Sequence, residues 1–121
     1  MFKEALQGIV ENVDGGLAGL VMGFDGIAVD SFTRAGRGQP GVDVNTMGME
    51  FSFVLGQVRK AAQVLELGDL GEVSIRTERM TLVVRVLTPQ YFLALVLAPD
   101  GNLGKGRYLM RLAAPRLLQE L

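Results

Sequence analysis

The chain has 121 residues, of which 49% are hydrophobic and 21% are charged, and its formal net charge is −1. This length and composition predict one folded domain over residues 1–121, and the charge balance excludes the basic footprint of a dedicated nucleic-acid-binding protein. Since cysteine and histidine are both absent, disulfides, most metal sites and histidine-dependent catalysis are also excluded, and we expect no cofactor, metal or catalytic residue.

The first predicted elements are a helix and a β-hairpin. Apolar residues from Phe2 to Val13 recur at three- and four-residue spacing, which is typical of an amphipathic helix. The stretch 17–24 is almost entirely apolar or glycine, which predicts a strand covered on both faces. Asp25-Gly26 predicts a two-residue turn, in which both residues tolerate positive φ, before a more polar edge strand over about 27–33.

A long helix is predicted next, from an N-cap at Asn45 to about Glu66. Its apolar residues form one continuous stripe, made up of Met47, Phe51, Val54, Val58, Ala61 and Leu65. Further apolar residues lie outside that stripe, namely Met49, Phe53, Leu55 and Val64. One packing surface therefore cannot cover all of them.

Three strands and a last helix complete the predicted order α-β-β-α-β-β-β-α. The strands are predicted over 72–77, which alternates polar and apolar residues, over 80–87, and over 91–98, which is apolar on both faces and therefore central. Asn102 is expected to cap the last helix, and Pro115 to kink or loosen its final turns.

One loop carries a short motif that resembles a nucleotide-binding signature. Residues 36–41 read G-x-G-x-x-G, but Pro40 lies inside the pattern and the preceding strand belongs to a hairpin rather than to a parallel βαβ unit. A connector loop is therefore favoured over nucleotide binding. Arg34 and Arg37 could serve as an arginine finger toward a GTPase, although a solvated loop is the simpler interpretation.

The hairpin tip is the first candidate interaction site. Phe24 and Ile27 flank a turn that normally points into water, and Asp25 adds a charge. Rigid, exposed apolar groups suggest contact with a partner protein, so Phe24, Asp25 and Ile27 are the predicted partner-binding residues. The alternative, that both apolar side chains pack back on a neighbouring helix, has equal weight.

Self-association is the second candidate interaction. Surplus apolar residues of the long helix need cover, and a half-polar strand at a sheet edge can pair with its own copy. We therefore predict a homodimer related by a two-fold axis. The predicted interface residues are Met49, Phe53, Val64, Val73, Ile75 and Thr77.

The element order and four stretches of sequence resemble the roadblock family of dynein light chains and their bacterial relatives. These stretches are Gly16-Leu17-Ala18-Gly19, residues 24–30 (FDGIAVD), residues 71–78 (GEVSIRTE) and residues 100–105 (DGNLGK). The resemblance implies an α+β fold, with one long helix on one face of a five-stranded antiparallel sheet and two helices on the other. It also implies that two copies join through the third strand and the second helix.

The same resemblance implies a role, and the gliding-motility members of the family are the most similar in pattern. It implies a non-catalytic, MglC-like adaptor that binds an MglB-like roadblock protein in a module with an MglA-like, Ras-like GTPase, which is contacted directly or through that partner. A GTPase-activating or GTPase-binding subunit, and a small-ligand sensor domain, are the alternatives.

A cytoplasmic location is expected from the remaining sequence features. The start, Met1-Phe2-Lys3-Glu4, lacks the basic and then apolar layout of a signal peptide. The longest apolar run, residues 91–98, is much shorter than the ~20 residues of a membrane-spanning helix.

Overall fold

The structure, a computed structural model, describes residues 2–35 and 43–121. In this part of the chain the predicted order of helices and strands is confirmed. The elements are α1 (Phe2–Glu11), β1 (Gly16–Gly23), β2 (Ala28–Thr33), α2 (Val44–Val64), β3 (Glu72–Arg76), β4 (Thr81–Val86), β5 (Tyr91–Leu97) and α3 (Leu103–Gln119).

The five strands form one antiparallel sheet in the order β2-β1-β5-β4-β3. β5 is central and β2 and β3 are the edges, as their apolar and mixed compositions predicted. One core lies between the sheet and α2, and it includes Leu20, Leu55 and Phe92. A second core lies on the opposite face, where α1 and α3 supply Leu6 and Leu117. The resulting fold is the α+β arrangement expected, with one helix on one face and two on the other.

The helix caps show one correct and one incorrect prediction. Asn102 caps α3, since its Oδ1 accepts a hydrogen bond from the backbone N–H of Lys105 at 3.0 Å. The cap of α2 is Asp43 rather than Asn45, because the Asp43 carboxylate accepts from the Thr46 N–H at 3.1 Å. Pro115 does not end α3, which continues to Gln119.

Thr81 offers a test of the core on the α1 and α3 side of the sheet. Its side chain is 2% exposed, and its hydroxyl has no hydrogen-bond partner among the described residues. We expect Thr81→Val to raise the free energy of unfolding by about 1 kcal/mol, because valine has the same shape and no unpaired hydroxyl. Urea unfolding measures the change, with the exposed Thr33→Val as control. A destabilised Thr81→Val variant would contradict the conclusion that the Thr81 hydroxyl is buried without a hydrogen-bond partner.

Candidate partner-binding surfaces

The tip of the β1–β2 hairpin is a three-residue loop. The Gly23 N–H donates to the Ile27 carbonyl at 2.9 Å, and the Gly26 N–H donates to the Gly23 carbonyl at 2.9 Å. Gly26 has a φ of 85°, whereas Asp25 does not have a positive φ. The predicted hairpin is therefore confirmed, but the two-residue turn is wrong. A left-handed glycine after a type I turn closes a loop that is one residue longer.

Asp25 stabilises this loop from its exposed position. Its Oδ1 accepts a hydrogen bond from the Ile27 N–H at 3.0 Å. Such a bond from a side chain to the backbone two residues on mimics a turn and fixes the loop. The rest of the carboxylate remains exposed at the tip.

The two apolar residues that flank the turn have different surroundings. Phe24 is half-buried, and its ring meets Phe92 edge to face with centroids 5.3 Å apart. The Arg59 guanidinium lies 3.8 Å from the Phe24 ring centroid and donates to the Pro89 carbonyl at 2.6 Å. Ile27, by contrast, is 68% exposed. Phe24 therefore holds the base of the loop in place, and Ile27 is the side chain that faces solvent.

Ile27 directly follows Gly26, which lies against α2 beside exposed apolar residues of that helix. A Cβ placed on Gly26 would lie 3.5 Å from Met49 Cγ and 3.3 Å from Ser52 Oγ, so the loop packs closely against the helix. Met49 is 58% exposed, and Phe53, one turn further along α2, is 71% exposed. We call Ile27, Met49 and Phe53 the anchor patch. The sequence predicts these residues in two separate sites, because no local pattern reveals the contact between loop and helix.

The packing face of α2 differs from the predicted stripe. The buried residues are Val44, Met47, Gly48, Ser52 and Leu55. Leu55, which was placed outside the stripe, is fully buried, whereas Val54, Val58, Ala61 and Leu65 are exposed. The predicted stripe is thus wrong as a core face. Gly48 and Ser52 allow the helix to approach the sheet closely, and hydrophobicity alone does not identify such small residues as core positions.

The exposed part of the stripe lies on the side of α2 that turns toward β3. Met47 and Phe51 line a small cavity together with Leu82 and Val84 of β4. Val54 and Val58 continue that side of the helix at three- and four-residue steps. Met49 and Phe53 are each two residues from Phe51, so they project from nearly the opposite side. The structure therefore divides the apolar residues of α2 between two surfaces.

The remaining predicted interface residues lie near the β3 edge or at the end of α2. Val73 and Ile75 are half-buried and pack against the α2 core from β3. Thr77 lies in the turn after β3, where its hydroxyl donates to the Met80 carbonyl and accepts from the Met80 N–H. Val64, the last residue of α2, is 71% exposed.

The two edges of the sheet differ in how accessible their backbones are. On β2, Lys3 Nζ donates to the Ser31 carbonyl at 2.6 Å and lies 3.4 Å from Asp30. Asp30 Oδ1 also accepts from the Ser31 N–H at 2.8 Å. On β3, no described side chain forms a hydrogen bond with the backbone of Glu72–Arg76. Charged side chains block an edge strand against pairing, so β3 is the open edge.

Comparison with solved structures identifies the family. MglC from Myxococcus xanthus is 43% identical to this chain, with a TM-score of 0.71, over 99% of this chain and 98% of that one. The chain belongs to the roadblock family. The predicted family and its MglC-like character are thereby confirmed. No protein-family model matches the chain, and the search of curated proteins found no match.

More distant roadblock structures share the fold. MglB from Thermus thermophilus is 20% identical, with a TM-score of 0.83, over 96% of this chain and 84% of that one. A roadblock/LC7 domain from Streptomyces avermitilis is 16% identical, with a TM-score of 0.76, over 96% of this chain and 97% of that one. At these identities the likeness concerns the fold alone.

The remaining candidate chemistry of this roadblock chain centres on Arg34. Its guanidinium reaches the carbonyl oxygens of Gly16 and Glu11, at 3.4 and 3.5 Å. Arg34 therefore ties the end of β2 to α1 and β1. Arg37 and the G-x-G-x-x-G stretch lie outside the described residues. Among residues 2–35 and 43–121, no group of three potential metal ligands occurs, and no helix is long and apolar enough to span a membrane.

Proposed function

We propose that the chain is a non-catalytic, MglC-like adaptor that forms a homodimer and binds an MglB-like roadblock protein. In this proposal it acts in the cytoplasm, in a polarity or gliding-motility module that also contains an MglA-like GTPase. The observation that carries the proposal is the anchor patch, in which Ile27, Met49 and Phe53 are 58–71% exposed on a rigid support. Exposed apolar groups of this kind are typical of protein-binding surfaces.

Support for the homodimer comes from the β3 side of the molecule. The open β3 edge offers unpaired backbone groups, and Val54 and Val58 of α2 are exposed on the side of the helix that turns toward it. Pairing of β3 with β3 of a second copy would satisfy the edge, and contact between the two α2 helices would cover the valines. Val73 and Ile75 lie in this proposed interface, whereas Val64 projects from the same side of α2 as Phe53.

In this arrangement the anchor patch stays accessible in each copy, because Met49 and Phe53 project from the other side of α2. We therefore assign these two residues to partner binding, together with Ile27. Asp25 fixes the loop that carries Ile27, and Phe24 supports it from below. Phe24, Asp25 and Ile27 remain one proposed site, in which Ile27 contacts the partner and the other two residues hold the loop in position.

The test is Ile27→Ala combined with Phe53→Ala, measured by calorimetric titration against the MglB-like protein of the same genome. Two anchors at about 2 kcal/mol each predict binding that is weaker by about a thousandfold. Both side chains are exposed, so the fold should be unchanged. Leu112→Ala is the matched control, because Leu112 is 57% exposed but lies on α3, on the other face of the sheet. Unchanged affinity of the double variant would contradict the proposal.

The same proteins separate the adaptor from the competing functions. We expect the chain alone to leave GTP hydrolysis by the purified MglA-like protein unchanged. Stimulation by the chain alone would favour the GTPase-activating alternative. A small molecule retained in native mass spectra would favour the sensor alternative.

A further inference from the structure

On the face of the sheet that carries α1 and α3, the surface of the edge strand β3 is not covered by a helix. Val73 and Ile75 face α2, so alternation directs Glu72, Ser74 and Arg76 to the other face. α3 packs there over β4 and β5. This face of β3 is therefore an open surface, and α3 borders it on one side.

Arginines surround this surface. Arg76 lies on β3, Arg85 lies on β4 directly opposite Glu72, and α3 contributes Arg107 and Arg111. Glu72 is the one acidic residue among them, and it forms an ion pair with Arg107. We call Arg76, Arg85, Arg107 and Arg111 the arginine shelf. The four arginines outnumber Glu72 and also Glu78, which lies in the turn after β3, so positive charge is in local excess in a chain whose net charge is −1.

Arg76 and Arg85 are the two shelf arginines on the sheet that remain available to a ligand. Arg85 is half-buried on the surface of the sheet, and neither Arg85 nor Arg76 forms an ion pair with any described residue. The Arg111 guanidinium lies 5.5 Å from the centroid of the Tyr108 ring, which helps to fix its position. Glu72, the cross-strand neighbour of Arg85, pairs with Arg107 instead, so the Arg85 guanidinium can accept a further carboxylate.

We propose that the arginine shelf binds an acidic, extended segment of a partner protein. Guanidinium groups match carboxylates in two-point hydrogen bonding, which favours aspartate and glutamate side chains. Arg85 lies on the surface of the sheet beside α3. Because α3 projects above that surface, a flat bilayer could not reach Arg85. If two copies pair through β3, which rests on the proposed function, their two shelves adjoin across the two-fold axis and the positive charge doubles.

The probe is a fluorescein-labelled peptide of eight glutamates, followed by fluorescence anisotropy at low salt. We expect Arg76→Gln with Arg85→Gln to weaken binding about tenfold, and added salt to weaken binding to the unchanged protein. Lys105→Gln with Arg116→Gln is the matched control, because it removes the same charge and Arg116 lines the α1–α3 groove on the other side of α3. The control should bind the peptide within about twofold of the unchanged protein.

Two results would overturn the proposal. If both double variants lost peptide binding equally, the peptide would be attracted to positive charge anywhere on the protein rather than to the arginine shelf. Phosphatidylserine vesicles that bind more tightly than the peptide, with the same dependence on Arg76 and Arg85, would assign the shelf to a membrane. The variant Ile27→Ala with Phe53→Ala should keep peptide binding, so failure at the shelf and failure at the anchor patch can be distinguished.

Discussion

Val54→Glu combined with Val58→Glu is expected to leave a folded monomer. Both valines are exposed, at 44% and 38%, on the side of α2 that turns toward the open β3 edge. In the proposed dimer these positions face the second copy, so the substitution would bury four like charges across the two-fold axis. Uncompensated buried charge is strongly unfavourable, and we expect dissociation at all practical concentrations. Light scattering after size-exclusion chromatography measures the mass.

The matched control for this variant lies on the same helix. Met49→Glu with Phe53→Glu adds the same charge within the anchor patch, about 140° around α2 from the two valines. We expect this control to remain dimeric and to lose binding to the MglB-like partner. A dimeric Val54→Glu/Val58→Glu protein, or a monomeric control, would contradict the proposed division of α2 into two surfaces.

Gly16→Ala is expected to cause the largest loss of stability of any single change considered. A Cβ at this position would collide with the carbonyl oxygen of Val10 and come within 2.9 Å of Val13 Cγ1. The obstacle is the backbone of α1, which cannot move aside as a flexible side chain can. We expect the free energy of unfolding to fall by about 3 kcal/mol, a large share of the ~5–15 kcal/mol typical of a domain. Urea unfolding measures it.

Gly8→Ala provides the opposite case within the neighbouring helix. Nothing lies within 4 Å of a Cβ at Gly8, which is in the middle of α1. Alanine favours a helix over glycine by roughly 0.5–1 kcal/mol, so this variant should gain stability. If Gly16→Ala were as stable as the unchanged protein, the close approach of β1 to α1 would be disproved. Gly16 also opens one of the stretches that resemble the roadblock family, and the contact gives that glycine a physical role.

Sequence patterns were most informative where a residue's role depends on its neighbours along the chain. The all-apolar β5 is central and the mixed β3 is an edge. This could be predicted because a strand buried on both faces is apolar throughout, whereas a strand buried on one face alternates polar and apolar residues. The turn at Asp25-Gly26 was located correctly, although its loop is one residue longer. Loop length depends on which strand residues pair, and composition does not fix that pairing.

The sites were less predictable because they depend on contacts between distant elements. Phe24 and Ile27 look equivalent in the sequence, yet Phe92 and Arg59 surround only Phe24. The core face of α2 was misjudged for a related reason. Gly48 and Ser52 pack closely against β1 and the hairpin, and they rotate the apolar Val54 and Val58 out of the core.

Pairing of two copies through β3 and α2 requires a dimer, and sedimentation equilibrium of the unchanged chain over a range of concentrations measures whether one forms. We expect a mass twice that of one chain. A mass of one chain at high concentration would contradict it.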